Sequence, residues 1–242
     1  MNQNLLSELN FIVEFAKSRT RIELNQNLTS TACDQQTLVH CASGVTESAA
    51  GNWHVSGGRN YIFSEDGCVF GGVIRFSGSG NAIFLGRNVS MKNATIHLLG
   101  SGCIAVLDDD VQMMPTSLIR VIGDGGLVEV GRGTVLAERC IIANSDGHGI
   151  YDQETGRRRN IERDVIIGRD VYVGAGSRIN KGSSIGDGSI IEEGSVVNGQ
   201  LSSFTLYSGV PAQAIEHDIV WSLDLVDNIY GSLPAGIEKA VI

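Results

Sequence analysis

One histidine in this chain sits in a setting suited to proton transfer. The segment Ser145-Asp146-Gly147-His148-Gly149-Ile150-Tyr151-Asp152 places it between two glycines, with one aspartate two residues before it and another four residues after. Imidazole titrates near neutrality, so such a side chain can take a proton from a hydroxyl and return it to a leaving group. A carboxylate or backbone carbonyl bonded to the second ring nitrogen would fix the tautomer, and Asp146 and Asp152 are the candidate orienters. Arg157, Arg158 and Arg159 follow as the densest basic run. They suit a solvated loop tip or an anionic ligand, since guanidinium binds carboxylates bidentately. Tyr151 can stack on a sugar ring or pack in a core. A zinc hydratase would need three histidines around one metal, and His40, His54, His97 and His217 do not share the spacing of His148.

The elements that position this segment announce themselves through a period of six. Ile167, Val173, Ile179, Ile185, Ile191 and Val197 are aliphatic, each six residues after the last, and Val171, Ser177, Ser183, Ser189 and Ser195 fall four places after each of the first five. A strand has period two and a helix 3.6, so neither yields a strict six. A coil with short flat sides does: one aliphatic residue per side points inward, and a small residue fits where the chain bends. Such sides bury their apolar edge only by stacking. The pattern predicts an all-β solenoid, a left-handed parallel β-helix. A longer repeat precedes it, with Phe63, Leu85, Leu107 and Val130 in one ladder and Ile74, Ile96, Leu118 and Ile141 in another.

Residues 144–163 break the repeat, and a loop expelled from a regular scaffold is held rigidly at its base. The expected organisation is an amphipathic helix near 4–17 within an irregular segment 1–60, the β-helix over 61–200 with an extruded active-site loop at 144–163, and an extension over 201–242. The 31 glycines and 3 prolines suit many tight corners. The net charge of −9, from 18 Lys+Arg against 27 Asp+Glu, argues against nucleic acid. Five cysteines, odd in number and without a CxxC pair, read as buried thiols of a reducing compartment. Polar residues interrupt the start of the chain, and no apolar run approaches a membrane span. A cytoplasmic location is therefore expected. No threonine ladder of an ice-binding coil is present.

The loop, with Arg159-Asn160, Ile167-Gly168-Arg169-Asp170-Val171-Tyr172-Val173-Gly174, Lys181-Gly182, Ile185-Gly186-Asp187-Gly188-Ser189, Gly209-Val210-Pro211-Ala212 and Trp221, resembles the hexapeptide-repeat acyltransferases over about residues 125–221. The order and spacing are most similar to the branch that O-acetylates bacterial capsular and surface polysaccharides. The resemblance implies acetyl transfer from acetyl-CoA to a sugar hydroxyl, without a metal, in a homotrimer with sites between subunits. His148 aligns with the family's catalytic histidine, and a backbone N–H such as that of Gly174 would face the oxyanion. CoA would lie along Gly174, Glu193 and Asn198-Gly199, closed by Ala212 and Gln213, with Arg178 and Lys181 as cations for its phosphates. The acceptor would meet Tyr151, Tyr172, Arg158, Arg159 and Asn160. Two departures stand out: Gln213 occupies a position that often carries Lys or Arg, and Tyr172 one that is usually tryptophan. N-acetylation of a nucleotide-linked amino sugar is the alternative reading.

Overall fold

The computed structural model describes residues 52–223 and, before them, the strands Thr29–Ala32 and Thr37–Cys41. The expected helix at 4–17 lies outside the described residues.

The chain winds as a three-sided parallel coil. The first side stacks Thr37–Cys41, Asn60–Ser64, Ala82–Leu85, Ile104–Leu107, Leu127–Val130, Val165–Ile167, Ser184–Ile185 and Gln200–Leu201. The third stacks Asn52–Ser56, the later halves of Val69–Ser77 and Ser90–Leu99, then Leu118–Ile122, Ile141–Ala143, Arg178–Ile179 and Val196–Val197. The second holds the early halves of the two long strands, then Gln112–Met113, Val135–Leu136, Tyr172–Val173, Ile190–Ile191 and Thr205–Gly209. Neighbouring strands run parallel except at the ends, where Thr29–Ala32 pairs with Thr37–Cys41 and Thr205–Gly209 with Ala212–His217 in antiparallel fashion. Paired coil strands thus extend on the N-terminal side of residue 60.

The hexads work as their chemistry dictates. All six aliphatic positions from Ile167 to Val197 are at most 2% exposed and line one core, each contributing roughly 1.5–3 kcal/mol relative to exposure. The serines four places on are buried where the chain bends, and their hydroxyls bond backbone groups of the following coil. Ser177 Oγ donates to Glu192 O at 2.9 Å and Ser189 Oγ to Ser202 O at 2.9 Å. Burying a hydroxyl without such a partner would be destabilising.

The longer repeat is out of step by one residue in two places. Phe63 pairs with Phe84, not Leu85, and Ile96 with Ile119, not Leu118. The inward column is therefore Ile74, Ile96, Ile119 and Ile142, while Leu118 and Ile141 face outward. The cause of the second slip is local. Met91 pairs with Met113 but Thr95 with Leu118, so the corner at 114–117 holds one residue more than the corner one coil before. Because side chains alternate between faces, one extra residue exchanges inward for outward.

Cys68, Cys103 and Cys140 are buried free thiols. Burial pushes the Cys103 and Cys140 thiols up to about 11, and Cys140 Sγ donates to Gly174 O at 3.2 Å. Neither is available as a nucleophile near neutral pH.

Candidate active site

The interruption leaves the corner between the third side, at Ile141–Ala143, and the first side, at Val165–Ile167. Earlier coils turn this corner with short glycine-rich segments, and here it carries residues 144–164. Its two roots replace the missing turn. Asn144, fully buried, accepts from Ile122 N at 2.7 Å through Oδ1 and donates to Ile122 O at 2.9 Å through Nδ2. At the other root, Asp164 Oδ1 accepts from Leu127 N at 2.9 Å.

Within the loop the imidazole is fixed by backbone. His148 Nδ1 lies 3.2 Å from the carbonyl oxygen of Asp146. A carbonyl only accepts, so in the neutral ring the proton sits on Nδ1 and the lone pair on Nε2, as a general base requires. Asp146 thus orients the ring through its main chain, and its carboxylate is used elsewhere. Its Oδ2 accepts from Lys181 Nζ at 2.6 Å and from Asn160 Nδ2 at 2.7 Å. The Lys181 bond first, and then the Asn160 bond, hold the Asp146 carboxyl below its ordinary range. Asn160 also donates to His148 O at 2.8 Å and accepts from Ile150 N at 2.6 Å. One amide therefore ties the residues on both sides of His148 to an ion pair anchored in the next coil.

Asp152 does not orient the imidazole. Its Oδ1 accepts from Thr155 N and Thr155 Oγ1, each at 2.9 Å, and from Glu154 N at 3.2 Å, capping the turn at the loop tip. These bonds, led by that of the Thr155 N–H, also lower its pKa. The tip is a small hairpin: Tyr151 bridges Arg158, and Arg159 N donates to Ile150 O at 2.8 Å. Arg158 turns back to Glu162, Nη1 to Oε2 at 3.2 Å. Burial, the largest single influence, would raise the Glu162 carboxyl, but the Arg158 bond and charge, a backbone bond and the Ser145 hydroxyl together outweigh it and the net shift is downward. Tyr151 is exposed and lies over Gly149, where a Cβ would stand 2.5 Å from the ring. A larger residue at 149 would require the exposed Tyr151 ring to move aside.

The residues expected along CoA are spread over two corners, the strand Arg178–Ile179 and the terminal hairpin. Gly174 lies between the second and third sides, where a Cβ would stand 2.6 Å from Glu193 N of the next coil. Its N–H donates to Ile191 O at 2.7 Å. That bond belongs to the coil ladder, so this N–H is not free to meet an oxyanion. Lys181 is not free for a phosphate, because its ammonium rests on Asp146. Arg178 Nε donates to Asn180 Oδ1 at 2.8 Å, and Asn180 donates to Asn198 Oδ1 at 2.9 Å. Asn198-Gly199 lies at the corner of the His148 loop, two coils further on, while Glu193 is exposed at the Gly174 corner. Ala212 and Gln213 pair with Gly209 and Ser208 in the terminal hairpin. Tyr172 meets the edge of Trp221, with centroids 5.6 Å apart, and Trp221 Nε1 donates to Asp170 O at 2.6 Å. Burial first, then Glu138 and Glu193, raise the Tyr172 phenol. One chain thus presents His148 on one edge and Gly174 with Tyr172 on another.

Residues 164–199 match the profile of the bacterial transferase hexapeptide, six repeats. That segment carries the six-residue repeat. A polysialic acid O-acetyltransferase of Neisseria meningitidis is 29% identical over 38% of this chain and 51% of its own length, so the chain spans about half of that curated relative. Among solved structures, the polysialic acid-specific acetyltransferase NeuO superposes with a TM-score of 0.66 at 27% identity, covering 78% of this chain and 86% of that one. The polysialic acid O-acetyltransferase OatWY gives 0.55 at 23% identity, over 74% and 91%. The coil is the left-handed parallel β-helix of those structures. Among the described residues no helix is long and apolar enough to cross a membrane.

Proposed function

We propose that this chain is an acetyl-CoA-dependent O-acetyltransferase acting on a hydroxyl of a bacterial capsular or surface polysaccharide, with His148 as general base. The observation that carries the reading is the imidazole at the interruption of the coil, its Nδ1 turned to a backbone carbonyl and its ring exposed at 148. The names of the similar proteins supply the acceptor class.

Acetyl-CoA, when bound, supplies an activated acetyl thioester. His148 Nε2 accepts the proton of the sugar hydroxyl as its oxygen forms the new bond to the acetyl carbon. The imidazolium then returns that proton to the sulfur as the carbon–sulfur bond breaks, giving the ester and CoA thiol. Charge is conserved throughout, and the chain forms no covalent intermediate, in keeping with thiols held near 11. The pantetheine arm would lie along the Gly174 corner and the hexads beyond it, while Gln213 and Glu216 leave its phosphate end without the cation expected there. His148 and Gly174 occupy different edges of one coil, which supports a homotrimer with each site built by two neighbours.

The test is CoA release from acetyl-CoA across polysialic acid, a uronic acid polymer and a neutral dextran, followed by mass spectrometry of the glycan. Ester formation on an acidic glycan is expected. Transfer confined to an amino sugar nucleotide would replace this reading with the N-acetyl alternative.

A further inference from the structure

The third side of the coil carries a feature that the catalytic loop does not use. His54, Arg75, His97 and Arg120 are register partners on successive coils, one above the other. All four stand at positions of the strand that face away from the core, between buried Ile74 and Phe76, Ile96 and Leu98, Ile119 and Val121. The flanking outward rows are Val73, Thr95, Leu118 and Ile141 on one side and Ser56, Ser77, Leu99 and Ile122 on the other. No carboxylate stands on these rows, in a chain whose net charge is −9. A groove of about 550 Å³ opens here, lined by His54, Ser56, Arg75, Ser77 and His97.

Two observations tie the row to the His148 loop and mark its last arginine as polar and incompletely bonded. Arg120 Nε is buried without a hydrogen-bond partner, which is costly for a charged donor unless something else satisfies it. The same guanidinium reaches the loop: Nη2 lies 3.7 Å from where a Cβ of Gly147 would stand, next to His148. The row then runs on to Ala143, where the loop begins. It is also cut off from the acidic groups of the loop, since Asp146 is held by Lys181 and Glu162 by Arg158.

From this geometry we infer that the ladder His54–Arg75–His97–Arg120 is the track for an extended polyanionic glycan, delivering one of its residues to His148. The inference deepens the function proposed above and rests on it for the direction of delivery. Successive rungs are about 4.8 Å apart, close to the rise of one pyranose in an extended chain, so carboxylates on alternate sugars meet alternate arginines. Arginine offers each a planar two-donor fork, and the imidazoles between add N–H donors. The track runs from the loop toward the N-terminal coils, whereas the thioester would lie along the tight hexads beyond it. The two substrates approach from opposite ends. Burial, and then Arg75 and Arg120, hold the His97 imidazole below its ordinary pKa, so a bound polyanion must shift it upward.

The experiment measures binding apart from turnover. Fluorescently end-labelled oligosialic acid of about ten residues is titrated, without acetyl-CoA, into wild type, Arg75→Gln, Arg120→Gln and the double variant at two salt concentrations, with neutral dextran as control. Tenfold or greater loss of affinity per arginine, a shallower salt dependence in the double variant and an upward shift of the His97 ring pKa in ligand are expected. Unchanged affinity in the double variant overturns the inference. So does a change of oligomeric mass on Arg75→Gln, which would make this face a contact between subunits. Wild type that acetylates the glycan while the double variant keeps its KM sinks the track alone. Tight, arginine-dependent binding with no transfer by wild type sinks the enzymatic reading and leaves the polyanion site standing.

Discussion

Replacing Asn160 by alanine isolates the positioning of the imidazole from its chemistry. The side chain makes three contacts: to the Asp146 carboxylate at 2.7 Å, to His148 O at 2.8 Å and from Ile150 N at 2.6 Å. One is charge-assisted and the others involve exposed backbone that water can satisfy, so their loss costs the ordered loop about 1–3 kcal/mol rather than the full sum. With tenfold per 1.4 kcal/mol, the population holding His148 in place falls roughly 5- to 150-fold, and kcat falls with it. The coil carries none of this, so the melting temperature stays within about 2 °C while amide exchange at Ile150 accelerates. Asn160→Asp is expected to be worse still near neutrality, since it sets two carboxylates side by side where a donor stood. The Asp146 carboxyl has a depressed pKa, so its anchoring is present above the unfolded value of about 3.9 and is lost only as pH falls through the lower folded value. Loss of the Asp146 anchor with falling pH is therefore confined to the acid side of about pH 5. Wild-type kcat and unchanged exchange in Asn160→Ala would refute the argument.

Three further outcomes follow from the same structure. Lys181→Met should lower kcat while leaving KM for acetyl-CoA nearly unchanged, because the ammonium holds Asp146; a rise in KM alone would return Lys181 to the CoA phosphates. Ile179→Ala, at 0% exposure, should cost about 2–5 kcal/mol in denaturant unfolding, the range for opening a cavity in a packed core; a loss under about 1 kcal/mol would mean the coil collapses around it. Native Cys140 should resist iodoacetamide at pH 8, where a thiol near 11 is ionised on the order of one part in a thousand, and Cys140→Ala should keep its turnover; rapid labelling of the folded protein would contradict the burial.

The fold was legible because a period of six has no other source: once Ile167 to Val197 are seen in phase, the coil and the serines at its bends follow. The longer coils were legible only in outline, since one added residue at 114–117 moves Leu118 from core to surface, and a spacing of 22 or 23 does not say where the insertion lies. The site divides in the same way. His148 and its glycines stand together in sequence, but the partner of Asp146 is Lys181, 35 residues on. Coil counting would have found it, because Asn180-Lys181-Gly182 turns the corner that the loop leaves one coil earlier. Asp152 misled because a turn cap and a catalytic carboxylate share one residue type. Gly174 misled because a free N–H and a ladder N–H look alike in sequence. The His54–Arg75–His97–Arg120 row was hidden for a similar reason, its members lying more than 20 residues apart until stacking aligns them.

The most direct measurement is the turnover of His148→Gln beside wild type, both with saturating acetyl-CoA and an acidic glycan, after equal melting temperatures show that both are folded. A glutamine amide fills the space but cannot carry the proton, so kcat should drop by roughly 10²–10⁴-fold with little change in acetyl-CoA binding. Retention of near-normal turnover would contradict the assignment of His148 as the base.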